Sequence, residues 1–252
     1  PPLTISIVGD LVAGALNNNL LAEELSPSIS IIENDLCKWF ASEVGFGKSS
    51  GGIAASGGTL NNLNALVCAK FSSGFTSDPE ASFIISEDAH VSFKKCARIL
   101  GIKDENIITI ETDNYGKMDI LNLNNEIKKS KLLGKKIFSI VATFGTTIRG
   151  SIDPIYEIGY ICKDNNIWMH IDGSIGGIFA ISNYKLHNIK EIDNLNIANS
   201  ITINPQKILG ITKTSSLLLV DDMNTLQKAF YTGLPYIDSS DDVLNRGELG
   251  VQ

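Results

Sequence analysis

Apolar and polar positions change their period several times along this chain, and each change marks an element. From Ser26-Pro27 onward, Ile32, Leu36, Trp39 and Phe40 recur at helical spacing, so the chain ahead of Gly51-Gly52 reads as helical. Beyond those glycines the pattern becomes an alternation. A helix over Thr59–Phe71 carries Leu60, Leu63 and Val67 on one face. A strand over Phe83–Ser86 precedes a helix over Val91–Leu100, which Gly101 closes. A strand over Ile107–Ile110 leads into a helix over Asp119–Ser130. In the polar stretch Asn122–Lys136, the inward side is assigned to Leu121, Ile127 and Leu132. Ile137–Thr143 is a continuous β-branched and aromatic run. Asp153 as N-cap and Pro154 at the first position open a helix to Lys163. Strands over Ile167–Ile171, Ser200–Ile203 and Ser215–Val220 complete the alternation.

Continuous apolar strands between amphipathic helices imply an α/β fold, a mostly parallel sheet covered on both faces. The expected organisation is an N-terminal helical segment over residues 1–50 and one α/β domain over 51–252. In such sheets ligands gather at the carboxyl ends of the strands, so the residues standing there decide the chemistry.

Composition narrows the function classes. The chain has 252 residues, 43% of them apolar, which is enough for one substantial core. A net charge of −7 without a Lys/Arg cluster argues against a nucleic-acid partner. Apolar runs such as Ile137–Val141 are far short of the ~20 residues a membrane span needs. Cys37, Cys68, Cys96 and Cys162 are widely spaced, lack any CxxC, and sit in helical patterns. They read as buried thiols of a reducing, cytoplasmic setting. The absence of an initiator Met and of a terminating pattern after Arg246 reads as a piece of a longer chain.

Gly45-Phe46-Gly47-Lys48-Ser49 imitates a phosphate loop, but Ser42 stands where that motif needs glycine, and a helix rather than a strand precedes it. It reads as a solvated loop. Ser56-Gly57-Gly58-Thr59 stands where a helix begins. There, free N–H groups, the helix dipole and a hydroxyl make either an anion site or an ordinary turn capped by Thr59. Asp172 ends a buried strand, where a carboxylate needs a cationic or hydrogen-bonding partner, unless it is a plain N-cap. Lys207, just past another strand, is either solvated or a nucleophilic amine in a low-dielectric cleft. His90 heads a helix after a third strand, in a capping or a catalytic role. Thr143-Phe144-Gly145-Thr146-Thr147 leaves a fourth. Together, an anion cradle, a carboxylate, a flat ring and an amine are the set that pyridoxal phosphate requires.

Five blocks make this specific: Ser56–Ala65, His90–Cys96, Ala142–Thr147 with Gly150–Pro154, His170–Gly177, and Asn204–Lys207. In order and spacing they resemble the group II pyridoxal-phosphate-dependent amino acid decarboxylases, the family of glutamate, histidine and aromatic amino acid decarboxylases. The similarity runs from about Ser26 to the end of the chain. The resemblance implies the large domain of a type I pyridoxal-phosphate-dependent transferase, like that of aspartate aminotransferase. It implies a homodimer and a C-terminal small domain that this chain lacks. It further implies that Gly58, Thr59 and Asn204 hold the phosphate and that His90 covers the ring. Thr147 lies near the ring face, Ser174 packs against it, and Asp172 pairs with its nitrogen. Lys207 forms the Schiff base. Tyr236, 29 residues after Lys207, stands near where the family carries a mobile-loop tyrosine that protonates the substrate α-carbon. One departure is Gln206, where the family usually has histidine; a neutral amide cannot titrate near pH 7. The implied reaction is decarboxylation of an L-amino acid to its amine. The alternatives are another reaction of the same cofactor (transaminase, lyase or aldehyde synthase) and a non-catalytic relative acting through dimerisation.

Overall fold

A computed structural model describes residues 1–182, 189–233 and 245–251. In chain order the elements are α1 (Thr4–Leu16), α2 (Pro27–Glu43), β1 (Gly51–Ala55), α3 (Gly58–Ser72), β2 (Ala81–Ser86), α4 (Ser92–Ile99) and β3 (Ile107–Ile110). There follow α5 (Ile120–Leu132), β4 (Lys136–Thr143), α6 (Ile155–Asn165), β5 (Trp168–Asp172), β6 (Ser200–Ile203), α7 (Pro205–Ile208), β7 (Ser216–Val220) and α8 (Asn224–Phe230). The strands form one sheet in the order β1-β7-β6-β5-β4-β2-β3. Among the described residues only β7 runs antiparallel, against both β1 and β6, so the other six strands share one direction. Among the described residues no helix is long and apolar enough to cross a membrane.

Alternate strand residues feed two apolar layers, as a sheet covered on both faces requires. Ile84, Ile140, Ile171, Ile201, Leu217 and Leu219 pack with Cys37 and Phe40 of α2, Leu123 and Ile127 of α5, and Ile158 of α6. Phe83, Ile85, Phe138 and Val141 face the opposite layer, with Leu63 and Leu66 of α3 and Phe93 of α4. Leu218 and Val220 extend that layer to Cys68 and to Leu226 of α8. All four cysteines are buried free thiols within helices.

Several local expectations give way to packing. On α5 the buried residues are Leu123, Ile127 and Ser130, while Leu121 and Leu132 face solvent at 77% and 89% exposure. Ile127 points inward as expected and the two leucines do not, because docking against β3, β4 and α6 fixes which stripe is covered. On α2 only Phe40 of the apolar set turns inward, joined by Ser30, Cys37 and Ala41; Ile32, Leu36 and Trp39 are exposed. Asp153 does not cap α6, which begins at Ile155 behind Pro154. Its buried carboxylate instead accepts hydrogen bonds from the Met118 and Thr143 N–H groups, at 2.7 Å each. Burial still pushes that carboxyl up to about 6. The residues Gly51-Gly52, read as a break, are the start of β1. A Cβ on Gly52 would lie 2.2 Å from the Leu218 carbonyl oxygen, so only glycine lets β1 close on β7.

Two groups of hydrogen bonds tie the end of the chain to α2, β1 and α3. The buried Arg246 donates to Glu33 Oε1 from Nη2 at 2.7 Å and to the Gly52 carbonyl at 2.9 Å. The same Glu33 oxygen accepts from the Ala54 N–H. The Asn64 side chain exchanges two hydrogen bonds with the backbone of Val251.

Candidate active site

Five parallel strands, β1, β2, β4, β5 and β6, end on the same side of the sheet. The turns leaving them carry the residues singled out from the sequence. Between β2 and β4 the order of connections reverses, the position at which such sheets hold ligands. A cleft of about 520 Å³ opens there, and Gly58, Thr59, His90, Thr147, Asp172, Ser174, Asn204 and Lys207 all line it. Tyr236 lies outside the described residues. The phosphate-loop imitation at Gly45–Ser49 is the turn between α2 and β1, away from the cleft.

One end of the cleft is a cradle of donors. Gly57, at φ +135°, turns the chain from β1 into α3 in a conformation that side chains rarely adopt. The first N–H groups of α3, at Gly58 and Thr59, have no carbonyl partner within the helix. A Cβ on Gly58 would stand 2.7 Å from Asn204 Nδ2 and 2.9 Å from Ser174 Oγ, so glycine keeps this floor open. The Ser216 hydroxyl donates to Asn204 Oδ1 and accepts from Asn61 Nδ2. With its oxygen thus engaged, the Asn204 amide presents its NH₂ towards Gly58. Backbone N–H groups, a hydroxyl, an amide donor and the dipole of a 15-residue helix suit a phosphate-sized anion. Cys96, beside this cradle, donates weakly to the Thr59 carbonyl, and burial pushes its thiol up to about 11.

Deeper in, Asp172 ends β5 with 3% exposure. Its Oδ1 accepts from the Ser174 N–H at 3.1 Å and its Oδ2 from Asn62 Nδ2 at 3.2 Å. Behind it, the fully buried His170 faces Ser200 Oγ through Nδ1, at 2.8 Å, and Asn62 Oδ1 through Nε2, at 3.2 Å. Desolvation lowers the His170 pKa to about 4, although the Asp172 charge pulls the other way, so the ring is neutral near pH 7. Towards the cleft mouth, His90 is exposed, and its Nδ1 meets both the hydroxyl (2.9 Å) and the N–H (3.2 Å) of Ser92.

Lys207 sits on the short α7 with its side chain exposed to the cleft. Its neighbour Gln206 accepts a hydrogen bond from the Ser215 N–H at 2.8 Å, which ties α7 to the entry of β7. Thr147 is exposed at the rim, whereas Thr143 and Thr146 are buried beneath it. The Thr143 hydroxyl is buried without a hydrogen-bond partner. Asn62 and Thr143 also line the cleft; both lie in blocks named from the sequence, which gave neither of them a role of its own. The signal available for Asn62 was chemical. Asn61, Asn62 and Asn64 crowd the buried side of α3, where a poor helix former must be hydrogen-bonded.

Comparison with known proteins places this arrangement. A parallel sheet with a lysine, a carboxylate and an anion cradle at its strand ends defines the large domain of the type I pyridoxal-phosphate fold. The profile of the pyridoxal-dependent decarboxylase conserved domain matches residues 3–247, and the chain belongs to that family, whose cofactor is pyridoxal 5′-phosphate. It is 31% identical over 248 residues to an L-aspartate decarboxylase of Metarhizium robertsii, covering 94% of this chain and 49% of that protein. The crystal structure of mouse CSAD superposes with a TM-score of 0.90 at 27% identity, over 98% of this chain and 52% of the other. Oryza sativa TDC, crystallised with PLP and tryptamine, shares the fold at 22% identity and a TM-score of 0.91, over 99% of this chain and 54% of the other. The chain therefore spans about half the length of the relatives it matches.

The buried His170 makes a pH prediction. Its folded pKa lies below that of the free side chain, so acidification protonates the unfolded state first. Stability is complete above about pH 6.5 and is lost as pH falls towards 4, by roughly 3 kcal/mol from this group. In urea melts across that range, His170→Gln is expected to be the less pH-sensitive protein. Equal slopes would contradict the assignment.

Proposed function

We propose that the protein works as a pyridoxal-phosphate-dependent decarboxylase of an L-amino acid, releasing CO₂ and the corresponding amine. The observation that carries this reading is that Lys207, Asp172 and the Gly58 cradle open into one cleft. The residues fit the cofactor on two further counts. Gly58 leaves room where a Cβ would collide with Asn204 and Ser174, and the buried Thr143 hydroxyl, still without a partner, lines the same cleft. When bound, pyridoxal phosphate supplies an aldehyde for the substrate amine and a ring that accepts the electron pair left by CO₂.

The chain's own residues do the rest. Gly58 and Thr59 N–H groups and Asn204 Nδ2 would hold the phosphate, and Ser174 would pack against the ring. Asp172 keeps a proton on the ring nitrogen, because a buried carboxylate already held by two donors gains from a cationic neighbour. His90, its Nδ1 occupied by Ser92, would cover the ring, and Thr147 would lie near its face. Lys207 Nζ is the amine that would tether the cofactor. Tyr236, by its place after Lys207, returns a proton to the substrate α-carbon from the partner subunit.

Residues 51–252 act as the cofactor-binding large domain and residues 1–50 as its helical lead-in. A small domain of the kind the family resemblance implies completes the substrate pocket. Free, buried cysteines favour a reducing, cytoplasmic setting. Homodimerisation is supported by the apolar surface of the lead-in. No residue of α1 is buried, yet it carries Ile5, Val8, Leu11 and Val12, and α2 adds Ile31, Ile32, Leu36 and Trp39. Patches of this kind mark protein interfaces.

Three measurements test this reading. Borohydride reduction of the cofactor-loaded protein, followed by peptide mass mapping, is expected to leave a pyridoxyl label on Lys207. Unchanged labelling of Lys207→Ala would remove the central assignment. In the protein with its small domain, Tyr236→Phe is expected to make amine at least tenfold more slowly while keeping the label. A wild-type rate would assign the proton elsewhere. Leu11→Glu with Trp39→Glu is expected to sediment as a monomer where the wild type is a dimer; identical sedimentation would move the interface.

A further inference from the structure

The cleft contains a polar side chain that neither the fold nor the anion cradle requires. Asn62, the fifth residue of α3, is 1% exposed, and both its N–H groups and its oxygen are hydrogen-bonded. One Nδ2 hydrogen goes to Asp172 Oδ2 and the other to Ser92 Oγ, while Oδ1 faces His170 Nε2.

The direction of each bond follows from Asp172. An ionised carboxylate only accepts, so Asn62 must turn its NH₂ towards it and its oxygen towards His170. His170 Nε2 therefore carries the proton, and its Nδ1 accepts from the Ser200 hydroxyl. That hydroxyl in turn accepts from Trp168 Nε1, a pure donor, at 2.9 Å. On the other branch, Ser92 Oγ receives from Asn62 and donates to His90 Nδ1, leaving the His90 proton on Nε2. Each buried donor in this chain meets an acceptor, and Asp172 takes part in it only as an acceptor.

Resting on the reading of the cleft given above, we propose that Asn62 is the positioning residue of the site. It orients the Asp172 carboxylate beneath the ring nitrogen and, through Ser92, fixes the tautomer of His90 on the other side of the ring. Asn62 touches neither substrate nor cofactor and acts through these two residues. The apolar near-isostere Asn62→Leu removes the amide, leaving Asp172 Oδ2 without its Asn62 donor and His170 Nε2 with only the Thr202 hydroxyl at 3.5 Å.

The test uses the cofactor-loaded protein, with pyridoxal phosphate labelled at the ring nitrogen with ¹⁵N and its shift followed against pH. In Asn62→Leu the ring nitrogen is expected to lose its proton at a pH lower by about one unit or more. The cofactor is expected to dissociate about tenfold to a hundredfold more readily, the loss of a hydrogen bond to a charged group. Asn62→Ser, which is smaller and keeps one donor, guards against a leucine variant that fails to fold and is expected to fall between the two. A lower melting temperature with an unmoved ¹⁵N titration in either variant would make Asn62 merely structural and overturn the proposal. Borohydride labelling separates the two claims. A wild-type protein without label on Lys207 overturns the reading of the cleft and this proposal with it. Labelled wild type and variants with identical ¹⁵N titrations overturn the proposal alone.

Discussion

A carboxylate buried at the end of a central strand is the constraint around which this structure is arranged. Asp172 is almost wholly withdrawn from water, and an unpaired charge there would cost several kcal/mol. Two donors offset that cost, the Ser174 N–H from the turn after β5 and the Asn62 amide from α3. Both are fixed before any ligand arrives. A cation placed in the cleft beside Asp172 therefore meets a charge that needs no reorganisation to receive it.

The same helix that supplies Asn62 also supplies the cradle. Gly58 and Asn62 are four residues apart on α3, about 6 Å along its axis at 1.5 Å per residue. One rigid element thus sets the separation between an anion site and a carboxylate site, the two polar ends that pyridoxal phosphate presents. Asn61 donates to Ser216, which donates to Asn204, while Asn62 faces Asp172 and His170, so adjacent side chains organise the two ends. The proposed chemistry depends on that spacing more than on any one contact.

Much of this was legible in the sequence, and the reasons differ by element. Strands β3 and β6 fall on their predicted residues because continuous β-branched runs between helices have few alternatives. The residues Asp172, Lys207 and Gly58 were found through block order and spacing, which survive divergence better than surfaces do. What escaped was set by tertiary contact. β1 is short and glycine-rich, and only its pairing with β7 makes it a strand. Leu121 and Leu132 are as apolar as Leu123, and docking alone decides which is buried. Asp153 looked like a helix cap because Pro154 follows it, yet its carboxylate serves the backbone of two other segments. Asn62 lay inside a block read for its glycines, and its partners come from α4 and β5, far away in sequence.

The most direct test of this account is a crystal structure of the protein grown with pyridoxal phosphate. It is expected to show the ring nitrogen within hydrogen-bond distance of Asp172, with the Asn62 amide still donating to the same carboxylate and Lys207 joined to the cofactor. A ring nitrogen turned away from Asp172, or a phosphate seated elsewhere than at Gly58 and Asn204, would contradict it.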